Sequence, residues 1–383
     1  MGPDVLQGAY IARLDLAAPH LAGVSRKIEA QRAALARAGF PTRLHSINDG
    51  AVMCDSDVLR PAANGSIARR MTHYNYFWHD TLSAVADADF LYIRFQGAGP
   101  GLLKMLSKFR TQRPEVPILM EIPTYPYKDE RRGVRQHLLG MVDDTCTPFL
   151  KLHVDRIVTF SSRAIIVGIP TIITRNGVEV SSLPLASLPE PAAPLRLVGV
   201  ANFGIRHAYD RVIRGLANYR AATARSDVLF ELIGSGELEQ ELRQLAVNSG
   251  VSDMVHFTGP LSGAALDSRL DGAHLGIAAL GMHRISAETS DLKSREYCAR
   301  GLPFVTANAD GDFPSSMRHV HHISPDETPV DIAFLRTWCE AMASERAQVS
   351  SDLRVYADAH LSWDAKIVSV AAWLSEKLEK KMS

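Results

Sequence analysis

Strand-like and helix-like segments alternate almost throughout this chain, and that alternation restricts the fold more than any other feature. "GAYIARL" is a short apolar strand. "GVSRKIEAQRAALARAGF" then carries Val24, Ile28, Leu35 and Ala36 at helical spacing and stops at Gly39, the residue type favoured just past a helix end. "FLYIRF", "VPILMEI" and "RIVTF" read as further buried strands, with helical segments between them. Such a series predicts a parallel sheet covered by helices on both faces.

After "TRNGVEV" comes "SSLPLASLPEPAAPLRL", rich in Pro, Ala and Ser and without periodicity, which reads as a linker. A second alternating series follows in "LRLVGV", "VLFELIGSG", "MVHFTG", "AHLGIAAL" and "PFVTA", separated by helices such as "ELEQELRQLAVNSG". The chain of 383 residues is long enough for two cores. We therefore expect an α/β protein of two doubly wound domains, residues 1–182 and 183–361. An amphipathic helix over 362–383 should follow, with Ile367, Val370, Ala371 and Leu374 on one side. Ligands bind outside the carboxyl ends of strands in such sheets, so a cleft between the two domains is the expected site.

Composition excludes several alternatives. The formal net charge is +0, so nothing global points to nucleic acid. Cys54, Cys146, Cys298 and Cys339 lack the spacing of a zinc site and read as free thiols of a reducing compartment. Neither a secretory signal nor an apolar run long enough to span a bilayer is visible, and a cytoplasmic location is expected.

Chemistry concentrates in "SAETSDLKSREYCARGLPF", Ser286 to Phe304. It follows the strand-like "AHLGIAAL", and "DLKSREYCAR" reads as a helix ended by Gly301 and Pro303. With Ser290 as N-cap, the N–H groups of Asp291 to Lys293 are left without helical partners, and Lys293 adds a full charge to a helix start that already favours anions. Glu288 and Glu296 flank this position. Carboxylates there would repel a phosphate unless they accept hydrogen bonds from hydroxyls attached to it, as the ribose and hexose of a nucleotide-sugar would supply. The bland alternative is an i,i+4 helix pair of Glu296 with Arg300.

On these residues the chain resembles the GT-B fold glycosyltransferases of family 4, the retaining group 1 transferases. The resemblance takes in "TRNGVEV", "LIGSGE", "VHFTGPLS", the E-x7-E with "ARGLPFV", and "LSWDAKI" before a last helix that in this family crosses back onto the first domain. "EIPTYPY" and "LKSREYCARGLPF" look most like transferases of bacterial capsular and exopolysaccharide synthesis. The resemblance implies that Glu296 holds the donor's ribose and that Glu288 contacts sugar hydroxyls. It implies that Leu292, Lys293 and Ser294 form the diphosphate-binding helix start. It places Gly234 and Gly236 beside the nucleotide, and Gly259 to Leu261 along the base. No cofactor or metal is implied beyond the donor itself.

The family's arginine and lysine after the first strand of the second domain have no full match. "VGVANFGIRHAYDRV" offers Arg206, with His207 beside it, and Arg206 is inferred to share the phosphate charge with Lys293. In the first domain Glu121, Tyr125 and Tyr127 of "MEIPTYPY" are candidates for the acceptor site, against a proline-stiffened loop packing two tyrosines. Gly23, with Arg26 and Lys27 at a helix start, is a candidate for close approach to the donor phosphates or the acceptor. Asp87 and Asp89 precede a strand, whereas Asp310 and Asp312 follow one and are the better metal candidates. His319, His321 and His322 read as a polar surface loop.

The expected reaction is transfer of a sugar from a nucleoside diphosphate to a hydroxyl of a glycan or lipid-linked glycan, with retention. Lys293, Arg206 and the helix dipole would stabilise the departing diphosphate. A nucleotide-sugar epimerase and an inactive nucleotide- or glycan-binding protein are the rivals. "GPGLLKMLSKFRTQR", Gly99 to Arg113, reads either as a basic amphipathic helix lying on a membrane or as a plain sheet cover.

Overall fold

A computed structural model describes residues 6–18, 21–63, 67–127, 133–187, 189, 194–285, 288 and 290–382. The chain divides into two units, one of residues 1–175, 287–290 and 366–383, the other of 176–286 and 291–365. The first unit opens with β1 (Gly8–Asp15), α1 (Ala22–Arg37), β2 (Thr42–Asn48), β3 (Ala51–Cys54) and β4 (Asp57–Arg60). It continues through α2 (Ile67–Ala84), β5 (Leu91–Arg94), α3 (Pro100–Gln112), β6 (Ile118–Ile122) and α4 (Gly133–Cys146), which runs into a 3-10 turn, Thr147–Leu152. β7 (Arg156–Thr159), β8 (Ile165–Ile166) and β9 (Ile169–Ile173) complete the sheet, in the order β4-β3-β2-β1-β5-β6-β7-β9-β8. β2, β1, β5, β6, β7 and β9 are parallel; β3 and β4 add to one side and β8 to the other by antiparallel pairing, with β4 and β8 at the edges. Because β2 lies on one side of β1 and β5 on the other, the chain reverses direction across the sheet at the β1/β5 boundary.

The second unit carries β10 (Leu195–Asn202), α5 (Asp210–Thr223), β11 (Val228–Ser235), α6 (Glu239–Asn248), β12 (Val255–Gly259), α7 (Gly263–Leu270) and β13 (Leu275–Ile277). Then come α8 (Leu292–Ala299), β14 (Phe304–Thr306), β15 (Val320–His322), α9 (Ile332–Ala341) and α10 (Arg346–Tyr356). All six strands are parallel, in the order β12-β11-β10-β13-β14-β15, with the reversal between β10 and β13. α11 (Trp363–Met382) is grouped with the first unit from Lys366 onward, where Thr174 Oγ1 donates to the Lys366 carbonyl at 2.7 Å.

The boundary at 175/176 precedes the expected 182/183, and its cause is packing. Val178 and Val180 are buried in the second unit's core, Val178 bridges Ser362, and the Asn176 carbonyl accepts from Arg295 Nε at 2.7 Å. The expected His319–His322 loop is an edge strand instead. His321 stacks on Phe334 and Trp338, so its ring fills a hydrophobic step. The Gly99–Arg113 segment is a sheet cover: Leu102, Met105, Leu106 and Phe109 are buried, each contributing about 1.5–3 kcal/mol. That leaves Lys104 and Lys108 exposed without an apolar face for a membrane.

Candidate active site

In the second unit the loops after β10 and β13 meet at the reversal point, where a ligand crevice is expected of an open α/β sheet. The Leu280 N–H donates to the His207 carbonyl (3.2 Å) and the Gly281 N–H to the Arg206 carbonyl (2.9 Å). The loop after β11 is laced to the same place, with the Phe203 N–H donating to the Ser235 carbonyl at 2.8 Å. Gly234 and Gly236 owe their identity to this crowding. A Cβ on Gly234, whose φ is +134°, would lie 1.9 Å from the Ala201 carbonyl oxygen, and one on Gly236 would lie 2.2 Å from Phe203 N. Gly259 has open space around its Cα, and Leu261 packs partly buried against the core.

α8 starts at this crevice, but its cap differs from the expected one. Asp291, not Ser290, is the N-cap: its Oδ2 accepts from the Ser294 N–H (3.1 Å) and Ser294 Oγ (2.8 Å). Ser290 and Ser294 are buried. The Ser294 hydroxyl and N–H are thus already occupied, and Leu292 and Lys293 keep the first-turn N–H groups that have no intrahelical acceptor. Lys293 Nζ donates to Glu296 Oε2 at 3.0 Å, both side chains being 27% exposed. Arg300 instead pairs with Asp267 at 2.6 Å, which removes the Glu296–Arg300 alternative.

Arg206 is exposed, whereas His207 is buried and stacked against Tyr209. Burial, with Arg206 and Lys293 nearby, pushes the His207 pKa down to about 4, and the Gly204 N–H donates to its Nδ1 at 3.2 Å. As a neutral ring with Nδ1 occupied, it adds no cationic charge for a phosphate. Two arginines that the sequence reading passed over hold the framework. Arg211 is fully buried and donates to the carbonyls of Leu280, Thr328 and Ser324 at 2.7, 2.8 and 3.0 Å. Arg295, also fully buried, is bidentate to Asp310 (2.9 and 3.1 Å) and reaches Asp312. The metal-candidate carboxylates are therefore ion-paired, and among the described residues no cluster of three His, Cys, Asp or Glu is placed to hold a metal.

The remaining candidates lie in the first unit. Glu288 is exposed, and its backbone bridges Tyr125. Its carboxylate accepts from the Ser162 N–H (2.6 Å) and Ser162 Oγ (3.2 Å), and the backbone bond from Ser162 foremost holds its pKa below the usual range. Tyr125 is partly buried against Tyr127 (6.3 Å) with Arg163 over its ring. Gly23 has open space beside it and lies in the first turn of α1.

Glu121 is not an acceptor-lining residue. It has no exposed surface, and it accepts from Lys27 (3.0 Å), Arg94 (2.7 Å), Gln31 (2.9 Å) and Tyr92 (2.9 Å). Burial would raise its pKa, but Lys27 and Arg94 outweigh that and bring it down to about 2. A different feature lies at the carboxyl ends of β1, β5 and β6. It is a cavity of about 700 Å³ whose lining includes Arg13, Trp78, Phe95, Tyr127, Val142 and Asp143.

Residues 195–334, which contain Arg206, Lys293 and Glu296, match the family model of group 1 glycosyl transferases. Comparison with curated protein sequences gives no match. Among solved structures, a glycosyltransferase from Rickettsia africae superposes with a TM-score of 0.60 at 11% identity, over 98% of this chain and 99% of that one. Anabaena HepE in complex with UDP-glucose gives 0.59 at 12% identity, over 98% and 100%. The lipopolysaccharide outer core galactosyltransferase WaaB gives 0.56 at 11% identity, over 98% and 100%. At such identities the likeness establishes the fold: two tandem Rossmann-like domains of the GT-B type.

Proposed function

We propose that this chain is a glycosyltransferase that takes a sugar from a nucleoside-diphosphate donor and passes it, with retention, to a hydroxyl of a glycan or lipid-linked glycan in bacterial surface polysaccharide synthesis. The observation that carries the reading is the Lys293–Glu296 pair at the start of α8, inside the segment that matches the group 1 transferases. Alone, these charges compensate each other. An arriving diphosphate competes for Lys293 and the first-turn N–H groups, releasing the Glu296 carboxylate to accept ribose hydroxyls. Arg206 adds the second cation. As the sugar–phosphate bond breaks, negative charge grows on the diphosphate, and Lys293, Arg206 and the helix start stabilise it. The same diphosphate accepts the proton of the attacking hydroxyl. On this reading the reaction is cytoplasmic.

Glu296→Ala is expected to weaken binding of uridine diphosphate about 10- to 100-fold, because a hydrogen bond to a charged group is worth about 1.5–3 kcal/mol. The loss should vanish with the 2′,3′-dideoxy analogue, which calorimetry can show directly. Equal binding of the parent nucleotide by both proteins would remove Glu296 from the ribose site. Activity should also persist in excess chelator, since cations of the chain take the place of a metal. Inactivation by EDTA that added divalent ion reverses would contradict this.

A further inference from the structure

We propose, resting on the transferase reading of Arg206, that Arg284 is a positioning residue: it holds the loop on which Arg206 is seated and so fixes where that cation meets the terminal phosphate of a nucleoside diphosphate. Arg206 is exposed and forms no ion pair with any described residue, so its place is set by its backbone. The Gly281 N–H donates to the Arg206 carbonyl at 2.9 Å, and the Leu280 N–H to the His207 carbonyl at 3.2 Å. Ala208, two residues on, takes a left-handed φ of 47°, which an alanine keeps where its surroundings over-determine the backbone. Gly281 is the other half of this seat. A Cβ there would lie 2.7 Å from the Ala208 Cβ and 2.7 Å from the Ile205 carbonyl oxygen.

Gly281 is held in turn from Arg284, which ends the 3-10 turn Met282–Arg284 and whose N–H donates to the Gly281 carbonyl at 3.0 Å. The Arg284 guanidinium spans two carboxylates from two other elements. Nη1 and Nη2 donate to the two oxygens of Asp210, the first residue of α5, at 2.9 Å each. Nε donates to Glu327 Oε1 at 2.9 Å, and Nη2 also reaches Oε2. Glu327 lies between β15 and α9, and His283 Nε2 meets its Oε1 at 2.8 Å. A bidentate fork fixes direction as well as distance, so the turn carrying Gly281 is tied both to the start of α5 and to the 324–328 segment. With each nitrogen committed to a carboxylate, Arg284 is not itself a phosphate ligand. Arg211 supports the same loop through the Leu280 carbonyl at 2.7 Å, but it is fully buried and its removal strikes the core. Arg284 is 16% exposed and Asp210 18%, so this fork can be opened with less damage to the fold.

Calorimetry with uridine diphosphate and uridine monophosphate separates the placing of one cation from damage to the whole site. Arg284→Gln should weaken uridine diphosphate about tenfold, because the terminal phosphate loses a charge-assisted contact. Gly281→Ala, which changes no charge, should do the same by pushing the two loops apart. Uridine monophosphate should bind both variants within about twofold of the wild type, and in the Arg206→Ala background neither change should cost more, since the cation being placed is gone. A merely structural role would lower both nucleotides in both backgrounds. Unchanged uridine diphosphate binding by folded Arg284→Gln overturns the placing of Arg206 by Arg284. So does a loss that persists undiminished in Arg206→Ala or is shared by the monophosphate. If Arg206→Ala weakens the diphosphate and Arg284→Gln does not, the donor reading stands and this one fails. If the wild type binds no uridine diphosphate, both fall.

Discussion

Glu121→Gln is expected to destabilise the first unit by about 3–5 kcal/mol, the cost of breaking a buried ion pair by removing one partner. The carboxylate has no exposed surface and is the anion between Lys27 and Arg94, which are each 9% exposed. Glutamine keeps the shape and one acceptor but leaves two cations facing each other in a site that Tyr10 and Tyr92, stacked at 4.9 Å, close from beneath. Chemical denaturation followed through the first unit's transition should show the loss near neutral pH. Its pH dependence gives a second check. The folded carboxyl titrates at about 2, below its ordinary 4.5, so its contribution is fully present above about 4.5 and is lost as the pH falls toward 2. The gap between wild type and variant should therefore narrow on acidification. A gap below about 1 kcal/mol at neutral pH, or one that widens in acid, would show that Glu121 is not what holds these two cations.

How far the sequence discloses this molecule depends on which physical signal each feature leaves in it. Long apolar runs between helical periods locate β1, β5, β6, β7, β10 and β11, because strands buried on both faces carry little besides apolar residues. β3, β4 and β15 leave no such run: they are short, β4 and β15 are edges with one neighbour each, and His321 on β15 packs by its ring rather than by hydropathy. The E-x7-E spacing and the strand before it locate the helix start at Lys293, yet the cap is read one residue early, because Ser290 and Asp291 are equally good cap types. Glu121 marks the opposite failure. A glutamate at the end of an apolar strand looks like a site residue, and only the partners Lys27 and Arg94, far away in sequence, show it to be buried. A signal was present, since Arg94 also interrupts an apolar strand, and opposite charges in two buried strands call for each other. The cavity left none: Arg13, Trp78 and Tyr127 come from three separate stretches that the sheet order alone brings together.

Lys293→Ala is expected to lower kcat about 10²- to 10³-fold, or about 2.7–4 kcal/mol, as when one preorganised donor to a developing oxyanion is removed. The donor KM should move much less, because the charge on the diphosphate is greatest as the sugar leaves, and an interaction made mainly then appears in kcat. Folding should be spared, since the side chain is 27% exposed and its partner in the structure, Glu296, is equally exposed. That partner offers another route to the same loss. Without Lys293, the Glu296 carboxylate stands alone at the helix start and repels the donor. The double variant Lys293→Ala, Glu296→Ala separates the two routes. If the unpaired carboxylate causes the loss, kcat recovers in the double variant. If the missing cation causes it, kcat stays low and the ribose contribution is lost as well. Lys293→Arg, which keeps the charge, should retain most of the rate. A Lys293→Ala enzyme with unchanged kcat and only a raised donor KM would leave Lys293 as a ground-state contact and pass the leaving-group role to Arg206.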